Sequence, residues 1–448
     1  MSRNVSTFLK ESLAPSQLEL IQCVAEQATA LGSPLYIVGG FVRDLLLGRP
    51  NFDLDLVVEG DAPSLARILE EKYGGKVTVH SRFSTAKWFL HGSKIATLKT
   101  FGKVEPQGPA LDFLDLASSR SEIYKHPASL PTVKVGSIED DIKRRDFTIN
   151  TLAIRVDGPL FGELRDDFGG AADAKKGIVR VLHERSFLDD PTRMFRAARY
   201  EQRLGFKIDA GTIALIPEAR SLIDELSAQR IRHELDLILE EPKAAAILGR
   251  LAELDLLTPI HAALPWDEFI NQRIQASELA EIPNRSRSDV EVGQNDNRLM
   301  GWLLWLLGLN EKQIQSLNIR LHFTSHYLKA FLAASKLMVN LGKLIEWKPS
   351  KCVEYLDEMP YAAIQAVYLA TPDGDFRLLL EKYIKEWRNI QPRTTGSDLK
   401  KLGLQSGTDY QTILRELRNA WLDREIIDEL GEKRRLEETL LRLRNLQG

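Results

Sequence analysis

Short apolar segments separated by polar turns dominate the chain up to about Leu182. Some of these segments alternate apolar and polar residues and others are brief runs rich in β-branched side chains, and both patterns are typical of strands. Segments with helical periodicity, such as APSLARILEEKYG, lie between them. The strand candidates are LYIVGG, FDLDLVVE, KVTVH, AKWFL, ALDFLDLA, INTLAIRV and GIVRVL. This mixture predicts an α+β region at the N-terminal end of the chain.

The pattern changes at about His183, where the strand signals nearly vanish and apolar residues recur at helical spacing. The apolar run from Leu299 to Leu309 is too short to span a bilayer, so it predicts a buried helix. The stretch from Glu281 to Asn297 is polar and has no periodicity, which predicts an exposed loop. The predicted fold class is therefore an α+β head followed by an all-helical remainder.

Composition and charge narrow the class of protein. The 448 residues are 44% hydrophobic, which is typical of a globular chain long enough to form several domains. The net charge of −3 gives no overall basic field, so any surface for nucleic acid has to be a local patch. Cys23 and Cys352 are far apart and lack a metal-binding or disulfide spacing, which predicts free thiols in a reducing compartment. The N-terminus lacks the apolar stretch of a signal peptide, so we expect a soluble cytoplasmic protein that does not bind membranes.

Two carboxylates lie on one predicted strand that follows a glycine pair. In LYIVGGFVRDLLLGRPNFDLDLVV, from Leu35 to Val58, that strand carries Asp53 and Asp55. Because residues two apart on a strand point to the same face, the carboxylates project together, and oxygen-rich sites of this kind favour Mg²⁺. The pair Gly39 and Gly40 lets a phosphate approach the backbone N–H groups of the helix that follows. A D-x-D pair alone is common, but the order of these features indicates nucleotidyl transfer.

A second group of polar residues lies in KRRDFTINTLAI. The pattern predicts that Arg144, Arg145, Asp146 and Asn150 lie at the start of a helix beside an apolar segment. Guanidinium groups are planar donors suited to triphosphate oxygens, and the carboxylate beside them can accept a hydrogen bond from a ribose hydroxyl. The string therefore indicates a site for a ribonucleoside triphosphate, although alone it would also fit an ordinary surface helix.

A third group lies in SFLDDPTRMFRAARYEQRL, where Asp190, Arg193 and Arg196 are three residues apart. On a helix such residues share one slowly drifting face, and a salt-bridged surface helix is the alternative interpretation. Cytosine and adenine each present an amine donor beside a ring-nitrogen acceptor, whereas uracil and guanine present the reverse. Because a carboxylate only accepts and a guanidinium only donates, an Asp–Arg pair held in one plane fits C and A and rejects U and G.

These strings together resemble the signatures of DNA polymerase β-like nucleotidyltransferases and, among them, of the class II tRNA nucleotidyltransferase and bacterial poly(A) polymerase family. R-R-D-F-T-I-N is similar to the second motif of that family, with Thr151 where Ala is usual, and D-D-P-T-R is similar to its E-D-x-x-R motif, with Asp189 in place of Glu. LDFLDLASSRSEIYKHPASLPTV resembles the strand of the third carboxylate and the flexible loop after it. Asp115 is the preferred third carboxylate and Asp112 the alternative.

The resemblance implies a role for each matching position. Asp53, Asp55 and Asp115 would be the catalytic carboxylates, and Asp53 and Asp55 would hold Mg²⁺. The nucleotide-binding positions would be Gly39, Gly40, Arg43, Arg145, Asp146, Asn150, Asp190, Arg193, Arg196 and Arg199. The domains would be a polymerase β-like head with a mixed sheet at residues 1–182, a helical neck with the base-recognition helix at 183–260, and a helical, RNA-binding body and tail at 261–448.

The activity that the resemblance implies is addition of C and A nucleotides to the 3′ end of tRNA, without a nucleic-acid template. CTP and ATP would be the substrates, and pyrophosphate would be released. Two alternatives are an A-adding enzyme that works with a separate CC-adding enzyme, and a poly(A) polymerase. A catalytically silent RNA-binding protein on the same scaffold is a further alternative, which the presence of all the expected carboxylates disfavours. The sequence does not reveal the oligomeric state.

Overall fold

A computed structural model of the chain describes residues 3–49, 54–80, 83–94, 111–124, 126–279, 297–404 and 407–447. The contacts divide the chain into two compact units, Met1–Arg230 and Ile231–Gly448. The finer boundaries at residues 182 and 260 stay predictions. The loop predicted from Glu281 to Asn297 lies outside the described residues, except for Asn297 itself.

The first unit alternates strands and helices along the chain. Its strands are β1 (Arg3–Asn4), β2 (Leu35–Val38), β3 (Asp55–Val58), β4 (Lys76–His80), β5 (Thr85–Phe89), β6 (Phe113–Ser118), β7 (Arg120–Ile123), β8 (Thr132–Val135), β9 (Ala153–Arg155), β10 (Glu163–Arg165), β11 (Ile178–Val179) and β12 (Lys207–Ile208). Its helices are α1 (Ser6–Ser12), α2 (Pro15–Ala30), α3 (Gly40–Leu46), α4 (Ala62–Tyr73), α5 (Ile138–Lys143), α6 (Gly170–Lys176), α7 (Ser186–Asp189), α8 (Thr192–Leu204), α9 (Ala210–Ala214) and α10 (Ile216–Ala219). Short 3₁₀ turns are formed by Thr148–Asn150, Gly158–Leu160 and Arg220–Ile223.

A mixed sheet with the strand order β1-β10-β9-β2-β3-β6-β5-β4 organises this unit. The central pair β3 and β6 is parallel, whereas β2–β3, β5–β6 and β4–β5 are antiparallel. The main core lies on one face of the sheet, where α2 and α4 contribute buried residues such as Leu20, Val24 and Leu65. On the opposite face, Ile138 and Ile142 of α5 form a smaller cluster with residues of β2 and β3. Period-two alternation thus gives the sheet one fully covered face and one partly covered face.

The helix α8 carries the third sequence motif, and its apolar stripe explains its position. Met194, Phe195 and Leu204 are buried, while arginines occupy much of the rest of the helix. Gly205, in the left-handed conformation with φ of +68°, follows the last residue and ends the helix. Beside it, β11 and β12 form a parallel two-stranded ribbon.

From Ala228 onward the described elements are helices. They are α11 (Ala228–Leu239), α12 (Ala244–Glu253), α13 (Glu268–Leu279), α14 (Asn297–Leu306), α15 (Glu311–Leu321), α16 (Ser325–Leu344), α17 (Pro349–Asp357), α18 (Tyr361–Ala370), α19 (Asp375–Lys385), α20 (Gly396–Lys401), α21 (Thr408–Leu422) and α22 (Glu429–Gln447), with a 3₁₀ turn at Trp387–Asn389. The apolar run predicted to be a buried helix forms α14, where Trp302 and Trp305 are fully buried and stack at 5.3 Å. A smaller cluster that includes Leu399, Ile413 and Leu417 lies near the C-terminal end. Among the described helices, every one is too short or too polar to cross a bilayer.

The structure confirms the fold class and corrects two local predictions. A strand overlaps each of the predicted strand segments. The prediction that Arg144–Asn150 begins a helix is wrong, because α5 ends at Lys143, Arg144 is its C-cap, and a 3₁₀ turn follows at Thr148–Asn150. Asp190 does not lie on the helix of Arg193, because it has an extended conformation between α7 and α8.

Candidate active site

The turn between β2 and α3 brings the backbone close to an arginine of the second motif. Gly39 has a φ of +74°, a conformation that favours glycine, and its N–H donates to the Leu152 carbonyl at 2.9 Å. A Cβ on Gly39 would lie 2.8 Å from Nη1 of Arg145. Gly40 is the first residue of α3. The glycine pair therefore allows a close approach that joins the first motif to the second.

Asp55 and Asp115 lie side by side on the sheet. They are register partners on the parallel strands β3 and β6, so their side chains point to the same face. Asp55 is exposed, and Oδ2 of Asp115 lies 3.4 Å from Nζ of Lys87. Asp112, the alternative third carboxylate, precedes β6 and is not opposite Asp55. Asp53 lies outside the described residues.

The chemistry of the Asp55–Asp115 pair fits a divalent cation. Adjacent carboxylates on an open sheet face repel each other, and carboxylate oxygens are ligands that Mg²⁺ prefers. In the part of the chain that the structure describes, no group of three His, Cys, Asp or Glu side chains is arranged to hold a metal ion. The chemistry of Asp55 and Asp115 therefore suits Mg²⁺, and the metal-binding roles of Asp53, Asp55 and Asp115 stay predictions.

Asp146 is a buried carboxylate that orders the second motif. Its Oδ1 accepts hydrogen bonds from the Phe147 N–H and from Nδ2 of Asn150, both at 2.9 Å, and its Oδ2 accepts one from Nε of Arg196 at 2.8 Å. Burial alone would raise the pKa of the Asp146 carboxyl, but the Arg196 guanidinium and the Asn150 amide outweigh it and lower the pKa to about 2. Asp146 is therefore charged at neutral pH. Its predicted contact with a ribose hydroxyl stays a prediction, and that contact would have to share these acceptor oxygens.

A second buried carboxylate, Asp141, holds the two arginines of the motif. Nη2 of Arg144 and Nη2 of Arg145 donate to its two oxygens at 2.7 and 3.0 Å. Burial would raise the pKa of the Asp141 carboxyl, but Arg145 and Arg144 lower it. Asp141 was not predicted from the sequence, although it precedes the arginines by three and four residues, the spacing of neighbours on one helix face.

Asp190 and Arg193 are each held by a different partner. Oδ1 of Asp190 accepts a hydrogen bond from Nη2 of Arg230 at 2.6 Å. Arg193 donates from Nη1 to Oγ of Ser186 at 2.7 Å and from Nη2 to the Arg144 carbonyl at 2.8 Å. These contacts fix an acceptor and a donor in position without pairing them with each other. Arg230 was missed because it lies 40 residues from Asp190 in the sequence.

Arg43 and Arg199 are buried, with 2% and 7% of their surface exposed. Arg43 donates to both carboxylate oxygens of Asp44 and, from Nη1, to Oδ1 of Asn150 at 2.8 Å. The guanidinium of Arg199 lies 5.5 Å from the centre of the Tyr200 ring. Arg43 thus contacts Asn150, and Arg199 lies beside Tyr200. The predicted contact of each arginine with a nucleotide stays a prediction.

Most of these groups meet around one cavity of about 350 Å³. Its lining residues are Gly40, Asp55, Glu122, Tyr124, Arg144, Arg145, Asp146, Asn150, Asp190, Arg193, Arg196 and Tyr200. All three sequence motifs therefore contribute to the same space. The described lining residues do not include Gly39, Arg43, Asp115 or Arg199. Asp53 lies outside the residues that the structure describes.

Glu122 and Tyr124 also line the cavity, although neither was predicted from the sequence. They lie on and just after β7, which pairs with β8 in a hairpin in the segment predicted to be a loop. The Tyr124 hydroxyl donates to Oε2 of Glu122 at 3.1 Å, and Glu122 also accepts from Arg144. Burial raises the pKa of Tyr124, so this hydroxyl keeps its proton. The one available signal was the spacing of two, which places both side chains on the same face of an extended segment.

Tyr200 was also missed. Its ring has three guanidinium groups within 5.8 Å and packs edge-on against Phe147 at 5.7 Å. It follows Arg196 by four residues, so the two side chains are neighbours on α8. The ring therefore lies among three positive charges and presents a π face to them.

Comparison with known proteins identifies the same regions. Residues 35–180 match the Poly A polymerase head domain, and residues 205–265 match the probable RNA and SrmB-binding site of polymerase A. The first match contains the glycine pair, the carboxylates and the second motif. The second match begins at the end of α8.

Three relatives extend the similarity over most of the chain. The A-adding tRNA nucleotidyltransferase of Geobacter sulfurreducens is 31% identical over 94% of this chain and 47% of that protein, so the chain spans about half its length. The A-adding tRNA nucleotidyltransferase of Halalkalibacterium halodurans is 28% identical over 92% of this chain and 90% of that protein. A solved structure of a CCA-adding enzyme without ligands is 30% identical, covers 98% of this chain and 99% of its own, and superposes with a TM-score of 0.78. The chain belongs to the class II tRNA nucleotidyltransferase family.

Proposed function

We propose that this chain adds C and A nucleotides to the 3′ end of tRNA, with CTP and ATP as donors and Mg²⁺ as cofactor. The observation that carries the proposal is the cavity of about 350 Å³, where Asp55 lies with Arg144, Arg145, Arg193 and Arg196. Arginine forks bind phosphate oxygens well, and the volume suits a small ligand. Family membership supports nucleotide addition to tRNA, and the similarity to a solved CCA-adding enzyme supports addition of both C and A.

The triphosphate would bind to Arg144 and Arg145. Asp141 accepts hydrogen bonds from Nε and Nη2 of Arg144 and from Nη2 of Arg145, so both guanidinium groups are oriented before the nucleotide enters. Groups that are positioned in advance stabilise the developing charge on the phosphates without reorganising during the reaction. The Asp146 carboxylate likewise orients Arg196 and Asn150, because it accepts a hydrogen bond from each of them.

Asp190 and Arg193 would select the base. The carboxylate would accept the exocyclic amine of cytosine or adenine, and the guanidinium would donate to the neighbouring ring nitrogen. With uracil or guanine, donor would face donor and acceptor would face acceptor. Buried polar groups left without partners cost several kcal/mol, which is on the order of a thousandfold in selectivity.

Asp55 and Asp115, together with Asp53, would hold Mg²⁺. When bound, the ion would stabilise charge on the reacting phosphate and lower the pKa of the attacking 3′-hydroxyl. Asp55 lines the nucleotide cavity, and Asp115 lies beside it on the neighbouring strand. This arrangement supports the proposal that the α-phosphate and the RNA end meet at these carboxylates.

Addition of A alone is a second candidate function. Both named relatives that match 94% and 92% of this chain are A-adding, whereas the named solved structure is a CCA-adding enzyme. The Asp190–Arg193 pair suits both bases and therefore does not separate the two candidates.

Product lengths on defined RNAs test the proposal. Purified protein is given tRNA transcripts that end before CCA, after C and after CC, with CTP, ATP or both, in the presence of Mg²⁺. CCA addition extends all three transcripts to the same end, and A addition extends only the transcript that ends in CC. Long runs of A would identify a poly(A) polymerase. Absence of incorporation on every transcript, with Asp55→Asn as the inactive reference, would contradict the proposal.

A further inference from the structure

One face of strands β4, β5 and β6 continues beyond the carboxylates. Alternation along β6 places Phe113 and Asp115 on this face, while Leu114 and Leu116 enter the main core. The same alternation on β5 exposes Phe89. We call this surface the β4–β6 face, and its residues are Lys76, Thr78, His80, Thr85, Lys87, Phe89, Phe113 and Asp115.

The pairing registers arrange these residues in rows that lead to the carboxylates. One row runs from Lys76 on the edge strand β4 to Phe89 on β5 and Phe113 on β6. The adjacent row runs from Thr78 to Lys87, Asp115 and finally Asp55 on β3. Basic and aromatic side chains therefore extend from the edge of the sheet to the proposed metal ligands.

Phe89 and Phe113 form an exposed aromatic pair. Their ring centres are 6.2 Å apart, and the side chains are 37% and 39% exposed. Nζ of Lys87 lies 3.7 Å from the centre of the Phe113 ring. Exposed aromatic rings next to ammonium groups are the combination with which proteins bind single-stranded nucleic acid, because bases stack on the rings and phosphates meet the charges.

The geometry of nucleotidyl transfer requires an acceptor site on this side of the carboxylates. The described lining of the nucleotide cavity includes Asp55 of β3 but no residue of β4, β5 or β6. In an in-line displacement the attacking oxygen and the leaving oxygen lie on opposite sides of the phosphorus. If the triphosphate occupies the cavity, the attacking 3′-hydroxyl comes from the other side of Asp55, where Asp115 and the β4–β6 face lie.

We infer that the last unpaired nucleotides of the acceptor RNA bind on the β4–β6 face, with bases stacked on Phe89 and Phe113 and phosphates near Lys87 and Lys76. This inference rests on the proposed function, since it identifies where the second substrate lies. Stacking suits this task because every base has a π face. The RNA end changes with each added nucleotide, so a site that read base edges would reject some of its own intermediates.

Steady-state kinetics with substituted phenylalanines provide the first test. We expect Phe89→Ala and Phe113→Ala each to lower kcat/KM for tRNA by about tenfold, the effect of losing one base–aromatic stack, while KM for ATP stays unchanged. Phe89→Tyr keeps a ring and should restore the wild-type value, whereas Phe89→Leu keeps only apolar surface and should not. Phe8→Ala is the matched control, because Phe8 is 39% exposed on α1 of the same unit.

The pattern of these variants decides the inference. Equal kcat/KM for tRNA in the wild type and in both alanine variants would overturn it. Rescue by leucine as well as by tyrosine would also overturn stacking and would indicate an apolar protein contact. A loss shared by Phe8→Ala, or a lowered unfolding temperature in the Phe89 and Phe113 variants alone, would show that folding and not RNA binding is affected.

A binding measurement separates this inference from the proposed function. A tRNA with 2-aminopurine as its last nucleotide is titrated with the protein without any nucleoside triphosphate. We expect a fluorescence change on wild-type protein that is lost with the Phe89→Ala, Phe113→Ala double variant, while the tRNA still binds. The same change with the double variant would overturn the inference even if the protein incorporates nucleotides. The expected loss in a protein that incorporates none would support the stacking site and contradict only the proposed function.

Discussion

At the scale of single residues, we expect substitutions of Asp115 and Asp112 to have different effects on activity. Asp115 lies opposite Asp55 on β3, whereas Asp112 precedes β6 and is exposed. We expect Asp115→Asn to lower kcat about a thousandfold or more, because metal-assisted stabilisation of the transition state is worth several kcal/mol. Asp112→Asn should keep nearly full activity. Radiolabelled ATP incorporation into tRNA measures both.

Stability measurements provide the control for that comparison. The ion pair between Asp115 and Lys87 is half-exposed, so its loss should change the free energy of unfolding by less than about 1 kcal/mol. Greater loss of activity in Asp112→Asn than in Asp115→Asn would reverse the assignment of the third carboxylate.

Arg193 carries the prediction for base choice. The guanidinium of Arg193 lines the cavity and would donate to the ring nitrogen of cytosine or adenine. Because this donor selects the base, we expect Arg193→Ala to relax selection toward UTP and GTP. The measured quantity is the ratio of kcat/KM for ATP to that for GTP. Ser186→Ala is the control, because it removes one partner of Arg193 and leaves the guanidinium in place. An unchanged ratio with only a lower rate would contradict the template role.

Sequence patterns identified residues that line the cavity better than the residues that hold them in place. Arg145, Asp146, Asn150, Asp190, Arg193 and Arg196 were predicted, and all line the cavity. Their partners Asp141 and Arg230 were not, because a carboxylate on a helix or an arginine 40 residues away has no distinctive local pattern. The pairing of Asp190 with Arg230 in particular depends on tertiary structure.

At the scale of elements, the geometry of the β2–α3 turn predicts that a side chain at Gly39 impairs nucleotide binding. Gly39→Ala would place a Cβ 2.8 Å from Nη1 of Arg145 at a φ of +74°, so it should displace that guanidinium and raise KM for ATP. Gly32→Ala is the matched control, since Gly32 has a φ of +67° but no atom within 4 Å of the added Cβ. Both variants should lose about 1 kcal/mol of stability from backbone strain, and only Gly39→Ala should impair nucleotide binding.

An equal KM for ATP in the two glycine variants would contradict the role of this turn. The two alanine variants carry the same kind of strain, so comparing their KM values for ATP in steady-state kinetics isolates the contact with Arg145.

Strands were easier to predict than the ends of helices. Alternation and β-branched runs identified the central strands, because those segments are buried in one sheet. The helix predicted to start at Arg144 was wrong because Phe147 instead adopts an extended conformation and bridges to Val181. That bridge is a contact between distant segments, which helical periodicity cannot reveal. The β7–β8 hairpin was missed for a similar reason, since its strands are short and mostly polar.

At the scale of the whole molecule, the strand-rich and helical parts of the chain follow the predicted order. Contacts nevertheless place the division at Arg230, which lies within α11. Arg230 donates to Asp190 and to the Ala128 carbonyl, so the segment with the third motif belongs to the same compact unit as the sheet. The sequence could not show this, because composition and periodicity do not change at that residue.

The stability of the folded chain in acid should depend on Asp146. Its pKa of about 2 lies below the ordinary value of 3.8, so the ionised carboxylate stabilises the folded state above about pH 4, and this contribution is lost as the pH falls through about 2. The shift corresponds to about 2 kcal/mol. We expect the difference in free energy of unfolding between wild type and Asp146→Asn to shrink by that amount between about pH 6 and pH 2, as measured by urea denaturation. Asp141 and the other carboxyls remain in both proteins, so the difference isolates Asp146. A difference independent of pH would show that Asp146 has an ordinary pKa in the folded state and that Arg196 does not hold it charged.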